Sequence, residues 1–267
     1  LPVVLSLRTV ETDDLGGDPR SVPGARFVAN STFTAGHFRD RFGIEATVIH
    51  PLVLGERYRT EPRHRTVTFV NPHPHKGVDL ALDVAERCPD IPFTFVEAWT
   101  LSPADRKHLQ ARLARTPNVT LRPPVTDMRE VYRDAAVMLV PSQWQEAFGR
   151  IVVEAQFSGI PSVASRRGGL PEAVGEGGVL VDPEAPVEAW VEALRGLWDD
   201  AGRYAAASAA AAASARRPEL DPAVQLDRLV ALLATAVEGD GGRTAGRPRS
   251  VAGAGTRAGQ RTIAEAR

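Results

Sequence analysis

Short runs of consecutive apolar residues, bounded by proline, glycine or polar residues, recur along the chain and alternate with stretches of helical periodicity. Such runs predict strands buried on both faces, because a strand with one solvated face would alternate apolar and polar residues. One example is the run 67–70, which precedes a helical pattern over 77–87. Strands that alternate with helices are typical of a parallel sheet with crossover connections. The sequence therefore predicts an α/β fold: a doubly wound, Rossmann-like parallel sheet with helices on both faces.

The same pattern predicts the remaining elements of this sheet. The strands are expected at 93–97, 119–121, 137–140, 162–164 and 178–181, and two further helices at 127–135 and 150–158. In a doubly wound sheet, ligands bind beyond the carboxyl ends of the strands, where loops lead into helices. Residues with chemical roles are therefore expected at that edge.

The first 60 residues contain a smaller set of elements. Strands are predicted at 3–7, 26–29 and 46–49, and a helix with a hydroxyl N-cap from Ser31 or Thr32 to Phe42. Three strands and one helix do not complete a domain. Residues 1–60 are therefore interpreted as the remnant of an N-terminal domain, joined by a polar hinge at 55–65 to a main domain at 61–200, and the beginning of the chain is expected to be missing.

The C-terminal part is predicted to be helical and then disordered. The segment 186–200 is amphipathic, 205–215 is alanine-rich, and 223–237 forms another helical pattern, so that 201–239 are assigned to C-terminal helices. Residues 240–267 are rich in glycine, arginine and serine and have too little apolar content to offset chain entropy. A disordered tail is expected there.

Composition and charge restrict the class of protein. No apolar run approaches the roughly 20 residues needed to cross a bilayer, and a single cysteine, Cys88, excludes an internal disulfide, so a cytoplasmic protein is expected. The formal net charge of −1 argues against a nucleic-acid-binding protein. It conceals a basic tail, since residues 241–267 carry six arginines against one glutamate, a net +5, and the rest carries −6. The tail is interpreted as solvated, and peripheral contact with a membrane stays open.

The segment 141–155 carries the richest chemistry. It follows a predicted buried strand and opens a helix, and it reads Pro-Ser-Gln-Trp-Gln-Glu-Ala-Phe-Gly-Arg-Ile-Val-Val-Glu-Ala. Glu146 is predicted in the loop before the helix and Glu154 on its second turn. The free amides of a helix start and the absence of a Cβ at Gly149 suit a phosphate, and Arg150 adds a fixed charge. Carboxylates on either side of an anion site suit paired hydroxyls, which indicates a nucleotide sugar as ligand.

This run resembles the E-x7-E signature of the large retaining glycosyltransferase family 4, whose members have the GT-B fold. The similarity extends over about residues 1–200. It implies that Glu146 bonds the hydroxyls of the donor sugar and Glu154 those of the ribose. It further implies that Ala147, Phe148, Gly149, Arg150 and Ile151 lie at the sugar and diphosphate, with Glu146, Lys76 and Arg150 as catalytic residues.

A second similarity covers Asn71-Pro72-His73-Pro74-His75-Lys76-Gly77, between a strand and the next helix. The family usually has a Gly-Arg pair after this strand and a Lys-Gly pair at the helix start, with both cations at the diphosphate. Lys76 and Gly77 match this pattern. Asn71 stands where the arginine is usual, so one positive charge is absent unless a protonated His73 or His75 supplies it.

Weaker similarities complete the predicted site. Residues 165–172 resemble the family's glycine loop that closes over the donor, although a turn with Pro171 starting a short helix explains them equally well. Residues 122–125 resemble the segment beside the base. Arg8 stands where many family members have a histidine near the reacting carbon. No metal site is expected, because the histidines are too scattered to converge on one ion, and no cofactor is expected beyond the nucleotide-sugar substrate, such as a UDP- or GDP-sugar.

The leading functional hypothesis is an enzyme that moves a sugar from a nucleotide-diphosphate donor to a hydroxyl acceptor, with retention of configuration implied by the resemblance. Two alternatives stay open at this point. One is a nucleotide-sugar epimerase, which needs no acceptor. The other is a non-catalytic binding subunit, or one that depends on a partner chain for the absent N-terminal half. The sequence does not identify the sugar, the base, the acceptor or the oligomeric state.

Overall fold

The computed structural model describes residues 3–241; the side chains of residues 13, 14 and 238–241 are left out of the description. It contains two parallel sheets. Most of the tail predicted to be disordered, from residue 242 onward, lies outside the described residues. Within the described part, no helix combines the length and apolar character that crossing a bilayer requires.

The first sheet, called the small sheet below, has three parallel strands in the order β1-β2-β3. The strands are β1 (Val4–Leu7), β2 (Arg26–Ala29) and β3 (Thr47–Val48), and helix α1 (Thr32–Phe42) connects the last two. The Ser31 hydroxyl caps α1 by accepting a hydrogen bond from the amide of Thr34, and the helix ends at Gly43 with a φ of 65°. The predicted hydroxyl cap is confirmed.

The second sheet has six parallel strands in the order β6-β5-β4-β7-β8-β9. In chain order its elements are β4 (Thr66–Val70), α2 (Val78–Arg87), β5 (Phe93–Val96), α3 (Pro103–Leu113), β6 (Val119–Arg122), α4 (Arg129–Tyr132), β7 (Ala135–Val140), α5 (Arg150–Gln156), β8 (Ser162–Ser165), α6 (Leu170–Val174) and β9 (Gly178–Val181). The first three strands are added in one direction and the last three in the other. The direction reverses between β4 and β7, which is the topological switch point where such sheets bind ligands.

Apolar side chains cover both faces of this sheet, as the continuous apolar runs predicted. On one face α2 packs with helix α7 (Val187–Trp198), where Leu82 and Trp190 are fully buried beside Phe69 and Phe95. On the other face α5 and α6 bury their own clusters, one of them around Met138. The chain continues through α8 (Ala201–Ser214) to α9 (Pro222–Gly241). Leu232 and Thr235 of α9 border a cavity of about 340 Å³ against the small sheet.

The second sheet, called the main sheet below, differs from the prediction at two of its helices. The helix expected over 127–135 is only the single turn α4, because Ala135 and Ala136 lie buried in β7 and the Asp134 carbonyl accepts the Thr66 amide of β4. Burial in the sheet overrides the helix propensity of the two alanines. Helix α3 was not predicted. It buries chiefly Leu109, so its apolar periodicity is weak, although Ser102 and Pro103 form a recognisable helix start.

Candidate functional site

A cavity of about 280 Å³ opens at the carboxyl ends of β4, β5 and β7, beside the switch point. Six of the residues predicted for the site line it: Asn71, Lys76, Glu146, Gly149, Arg150 and Ile151. They belong to the loop after β4, the loop after β7 and the first turn of α5. The strand order therefore brings together two motifs that the sequence keeps some seventy residues apart.

The loop after β4 is fitted closely to the loop after β7. Gly77, which follows a 3₁₀ turn, has a φ of 79°, and a Cβ there would lie 2.0 Å from the carbonyl oxygen of Pro141. The carbonyl of His75 accepts the amides of Gln143 and Trp144 at 3.0 and 2.9 Å. A glycine is required at residue 77, because no side chain fits between the two loops and the left-handed backbone disfavours other residues.

Lys76 and Glu146 form an ion pair in this cavity. The ammonium of Lys76 lies 2.6 Å from Oε1 of Glu146, and the Ser142 hydroxyl donates to the same oxygen at 2.9 Å. Both charged side chains are largely buried, with 17% and 16% of their surface exposed. The ring centroid of Trp99 lies 4.8 Å from the Lys76 ammonium, a cation–π contact. The cavity is thus lined by a cation and a carboxylate that are paired with each other.

The segment Glu146–Gly149, called the 146–149 loop below, is held from behind by the glycines after β8. The amide of Gly169 donates to the Glu146 carbonyl at 2.6 Å. A Cβ on Gly168, whose φ is 60°, would lie 2.3 Å from that same carbonyl. Residues 165–172 therefore pack against the 146–149 loop. The short helix α6 begins directly after the glycines, which confirms the interpretation as a turn that leads into a short helix.

Glu154 lies on the second turn of α5, as predicted, but it faces a different cavity. It borders a space of about 570 Å³ that Tyr58 and Met128 also line. Its Oε1 lies 2.8 Å from Nε of Arg150, and the Tyr132 hydroxyl donates to its Oε2 at 2.9 Å. Burial raises the pKa of the Glu154 carboxyl above its usual value, against the hydrogen bonds from Tyr132 and Arg150 that lower it.

Arg150 is shared between the two cavities. It lines the first, while its guanidinium bonds Glu154 and donates to the Tyr58 hydroxyl at 2.5 Å. Arg150 therefore borders the cavity that contains Glu146 and pairs with Glu154, which borders the other cavity.

Asn71 replaces the expected arginine for a local reason. Its φ of 68° is left-handed, a conformation that asparagine tolerates better than arginine. Its side-chain oxygen accepts the amide of Trp99 at 3.1 Å, which ties the loops after β4 and β5 together. The missing charge is not supplied by His73, because burial and the nearby His75 lower the pKa of His73 below its usual value.

Of the ten residues predicted to bind the donor, four do not line the first cavity: Gly77, Ala147, Phe148 and Glu154. Gly77 and the side chain of Phe148 are buried, and Ala147 contributes backbone groups. Four residues at the two cavities were not predicted: Ser142, Trp99, Tyr58 and Tyr132. Ser142 lies inside the 141–155 motif and Trp99 two residues after a predicted strand, so their positions at the ligand edge were available signals. Nothing local marked the two tyrosines, which reach the site through long-range packing.

The chain matches known proteins in both sequence and fold. Residues 64–200 match the family model described as glycosyl transferases group 1. The chain is 33% identical to a D-inositol 3-phosphate glycosyltransferase of Segniliparus rotundus over 72% of this chain and 48% of that protein. It is 34% identical to one from Salinispora tropica, over 75% and 49% of the two chains. The chain thus spans about half the length of these curated relatives.

Among solved structures, the fold is similar to that of Alr3699/HepE from Anabaena in complex with UDP and glucose. The TM-score is 0.74 at 20% sequence identity, over 88% of this chain and 72% of that one. At this identity the likeness concerns the fold, which is GT-B. With the family model covering half of the sequence, the chain belongs to the glycosyl transferases group 1 family.

Proposed function

We propose that the chain binds a nucleotide-diphosphate sugar at the β4–β7 switch point and takes part in transfer of the sugar to a hydroxyl acceptor with retention of configuration. The observation that carries this proposal is the Lys76–Glu146 pair in the cavity at the switch point. Residues 61–200 would hold the donor, and residues 1–60 would belong to the second Rossmann-like unit.

The ion pair is suited to exchange for such a ligand. Buried charges require compensation, and without ligand Lys76 and Glu146 compensate each other. A nucleotide sugar brings hydroxyls that donate to the carboxylate and a diphosphate that accepts from the ammonium. Each residue then keeps a partner, so neither charge is left buried alone.

Glu154 would receive the ribose in the second cavity. Its carboxylate, which borders this cavity and pairs with Arg150, would accept the paired ribose hydroxyls. The segment 122–125 would lie beside the base. Extended in this way, the ligand has a sugar at Glu146, phosphates near Lys76 and Arg150, and a nucleoside at Glu154.

The proposed catalysis is electrostatic. As the bond between sugar and diphosphate breaks, negative charge grows on the leaving diphosphate, and Lys76, Arg150 and the amides of Phe148 and Gly149 would stabilise it. Glu146 would hold the sugar while it acquires oxocarbenium character. The 146–149 loop is fixed before the reaction by the contacts of residues 168–169, so little reorganisation of its amides is required at that step.

The relatives guide the choice of ligands. The Anabaena structure contains UDP and glucose, so UDP is the first nucleotide to test. The curated relatives are named for D-inositol 3-phosphate, so a phosphorylated inositol is the first acceptor to assay.

The test is calorimetric titration of the chain with UDP, GDP and ADP, repeated with the Lys76→Ala variant. Loss of one charged contact should weaken binding by about tenfold or more. The matched control is Lys107→Ala, which removes the only other lysine of the sequence, an exposed residue of α3. No binding by a folded wild-type chain, or equal weakening by both substitutions, would count against the proposal. Incubation of a bound donor with and without acceptor then separates transfer from epimerisation and from binding alone.

A further inference from the structure

The small sheet touches the 146–149 loop through the first turn of α1. The Ser31 hydroxyl lies 2.5 Å from the carbonyl oxygen of Ala147, and the Thr34 hydroxyl donates to the same oxygen at 3.2 Å. Ser31 and Thr34 are fully buried. They lie outside the region that matches the family model, which begins at residue 64.

The neighbouring carbonyl of the loop is held from the opposite part of the chain. Glu146 accepts the amide of Gly169 at 2.6 Å, so two successive carbonyls are fixed, one by α1 and one by the glycines after β8. Both contacts are made to backbone carbonyl oxygens, and neither involves the side chain of Glu146, which faces the cavity.

A fixed carbonyl also fixes the amide of the same peptide group. In a planar trans peptide the N–H points opposite to the C=O. The Ala147 carbonyl points to α1, so the Phe148 amide points away from α1. Within residues 3–241 the amides of Ala147 and Phe148 have no hydrogen-bond acceptor. An anionic or carbonyl oxygen of a ligand at this loop would therefore find both amides without a partner in the protein.

The first turn of α1 is itself held in place by a hydrogen-bonded cluster. The carboxylate of Glu172 on α6 accepts the amide of Thr32 at 2.9 Å and its hydroxyl at 2.6 Å. Nε2 of His50 lies 2.6 Å from the other oxygen of Glu172. The His50 amide in turn donates to the side chain of Gln225 on α9 at 2.9 Å. This cluster therefore fixes the position of the first turn of α1, whose hydroxyls contact Ala147.

We propose that Ser31 and Thr34 are positioning residues for the donor site, which orient the Phe148 amide toward the ligand through the carbonyl of Ala147. The inference rests on the proposed function, because it assigns those amides to the donor. It gives the small sheet a role in donor binding that is separate from any acceptor.

Three variants isolate the hydroxyl contact. Ser31→Ala removes it together with the N-cap of α1, Thr34→Val removes one hydroxyl and leaves the cap, and Ser31→Thr restores both functions. The matched control for loss of a cap is Ser102→Ala, since Ser102 caps α3 by the same bond, to the amide of Asp105 at 3.1 Å. Helix α3 is not part of the contact between α1 and the 146–149 loop.

The contact has its own spectroscopic readout. Phe148 is the only phenylalanine of the sequence that follows an alanine. Labelling of alanine carbonyls with ¹³C and of phenylalanine amides with ¹⁵N therefore gives a single correlation, for the peptide group between Ala147 and Phe148. Its carbonyl shift reports hydrogen bonding at Ala147 without any ligand.

We expect the Ala147 carbonyl resonance to move upfield in Ser31→Ala and in Thr34→Val, and to return in Ser31→Thr. The affinity for UDP should fall about fivefold in Ser31→Ala, the equivalent of about 1 kcal/mol for one net hydrogen bond. Ser102→Ala should change neither. An unmoved resonance, an unchanged affinity despite a moved resonance, or equal effects of Ser102→Ala would overturn the inference. If the wild-type chain binds no nucleotide, the proposed function fails, and the resonance alone decides whether α1 orients this peptide.

Discussion

The ammonium of Lys76 lies 2.6 Å from Oε1 of Glu146, across a sequence separation of 70 residues. The first residue follows β4 and the second follows β7, and these strands are neighbours only because the sheet reverses its order between them. In the proposed function, the ammonium would contact the diphosphate and the carboxylate would contact the sugar. The first prediction concerns this pair.

Glu146→Gln should lower the turnover of the proposed transfer by about 100-fold while changing donor affinity much less. The amide keeps the shape and hydrogen-bonding capacity of the side chain but loses the charge that faces the reacting sugar. Steady-state kinetics with varied donor separates the two effects, because the loss should appear in kcat and not in KM. Equal turnover of variant and wild type would remove Glu146 from the catalytic set.

Gly77→Ala should destabilise the protein by more than about 2 kcal/mol. The added Cβ would meet the Pro141 carbonyl at 2.0 Å, and the φ of 79° is unfavourable for alanine. Thermal unfolding should show a Tm lower by roughly 5 °C or more. Gly36→Ala is the contrasting variant, since residue 36 lies within α1 with its nearest neighbour at 3.7 Å, and alanine there should raise the Tm.

Asn71→Arg restores the charge that is usual in the family, yet it should reduce stability. Arginine disfavours the left-handed backbone at residue 71, and it removes the hydrogen bond to the Trp99 amide. Asn71→Gly keeps the backbone conformation and loses only the hydrogen bond. The measured order of Tm should be wild type, then glycine, then arginine; an arginine variant as stable as the wild type would contradict this explanation.

Glu172 should stabilise the fold above its ordinary pKa of 4.5 and lose this effect in acid. Burial alone would raise the pKa of Glu172, but its hydrogen bonds with His50 and Thr32 outweigh burial and lower it. The folded state therefore binds the proton less readily than the unfolded state, so the stabilisation is lost as the pH falls through the lowered pKa. Thermal unfolding between pH 7 and 3 should show wild type more stable than Glu172→Gln at neutral pH and the difference shrinking in acid. A constant difference would speak against the linkage.

Glu154 should show the opposite dependence. Burial raises its pKa above 4.5 in the folded protein, so folding favours the protonated form, and stability declines as the pH rises through the raised pKa. Glu154→Gln should therefore gain in Tm relative to wild type between pH 4.5 and 7. The same variant should bind nucleotide less tightly, a trade of function for stability. A Tm difference that does not change over this range would disprove the linkage.

The strands of the main sheet were predictable because they are buried on both faces, which leaves continuous apolar runs such as 67–70 and 137–140. The helix predicted over 127–135 was wrong because alanine is compatible with both a helix and a buried strand. Ala135 and Ala136 lie in the strand β7. Helix α3 was missed because it is attached to the sheet chiefly through Leu109. Local pattern identifies strands with long apolar runs, and it fails where a residue type suits both a helix and a strand or where a helix buries few side chains.

The site was predictable only within each motif. The motifs placed Lys76 and Glu146 at the ends of strands, and the strand order made them neighbours. The contact of Ser31 with Ala147 spans 116 residues, and that of Tyr132 with Glu154 joins α4 to α5. Such contacts depend on how whole elements pack, which no spacing in the sequence encodes.

The reversal of strand order between β4 and β7 also bears on how the protein acquires its site during folding. A chain folded only through β6 has Lys76 but no Glu146, and one folded only from β7 onward has Glu146 but no Lys76. The pairing of β4 with β7 closes a long loop of chain and carries a high entropic cost, which places it among the slower steps of folding. A nucleotide sugar that binds as proposed would recognise only a molecule in which that step is complete. The binding free energy would therefore add to the free energy of global unfolding of the sheet. A bound nucleotide would stabilise both halves of the sheet against unfolding.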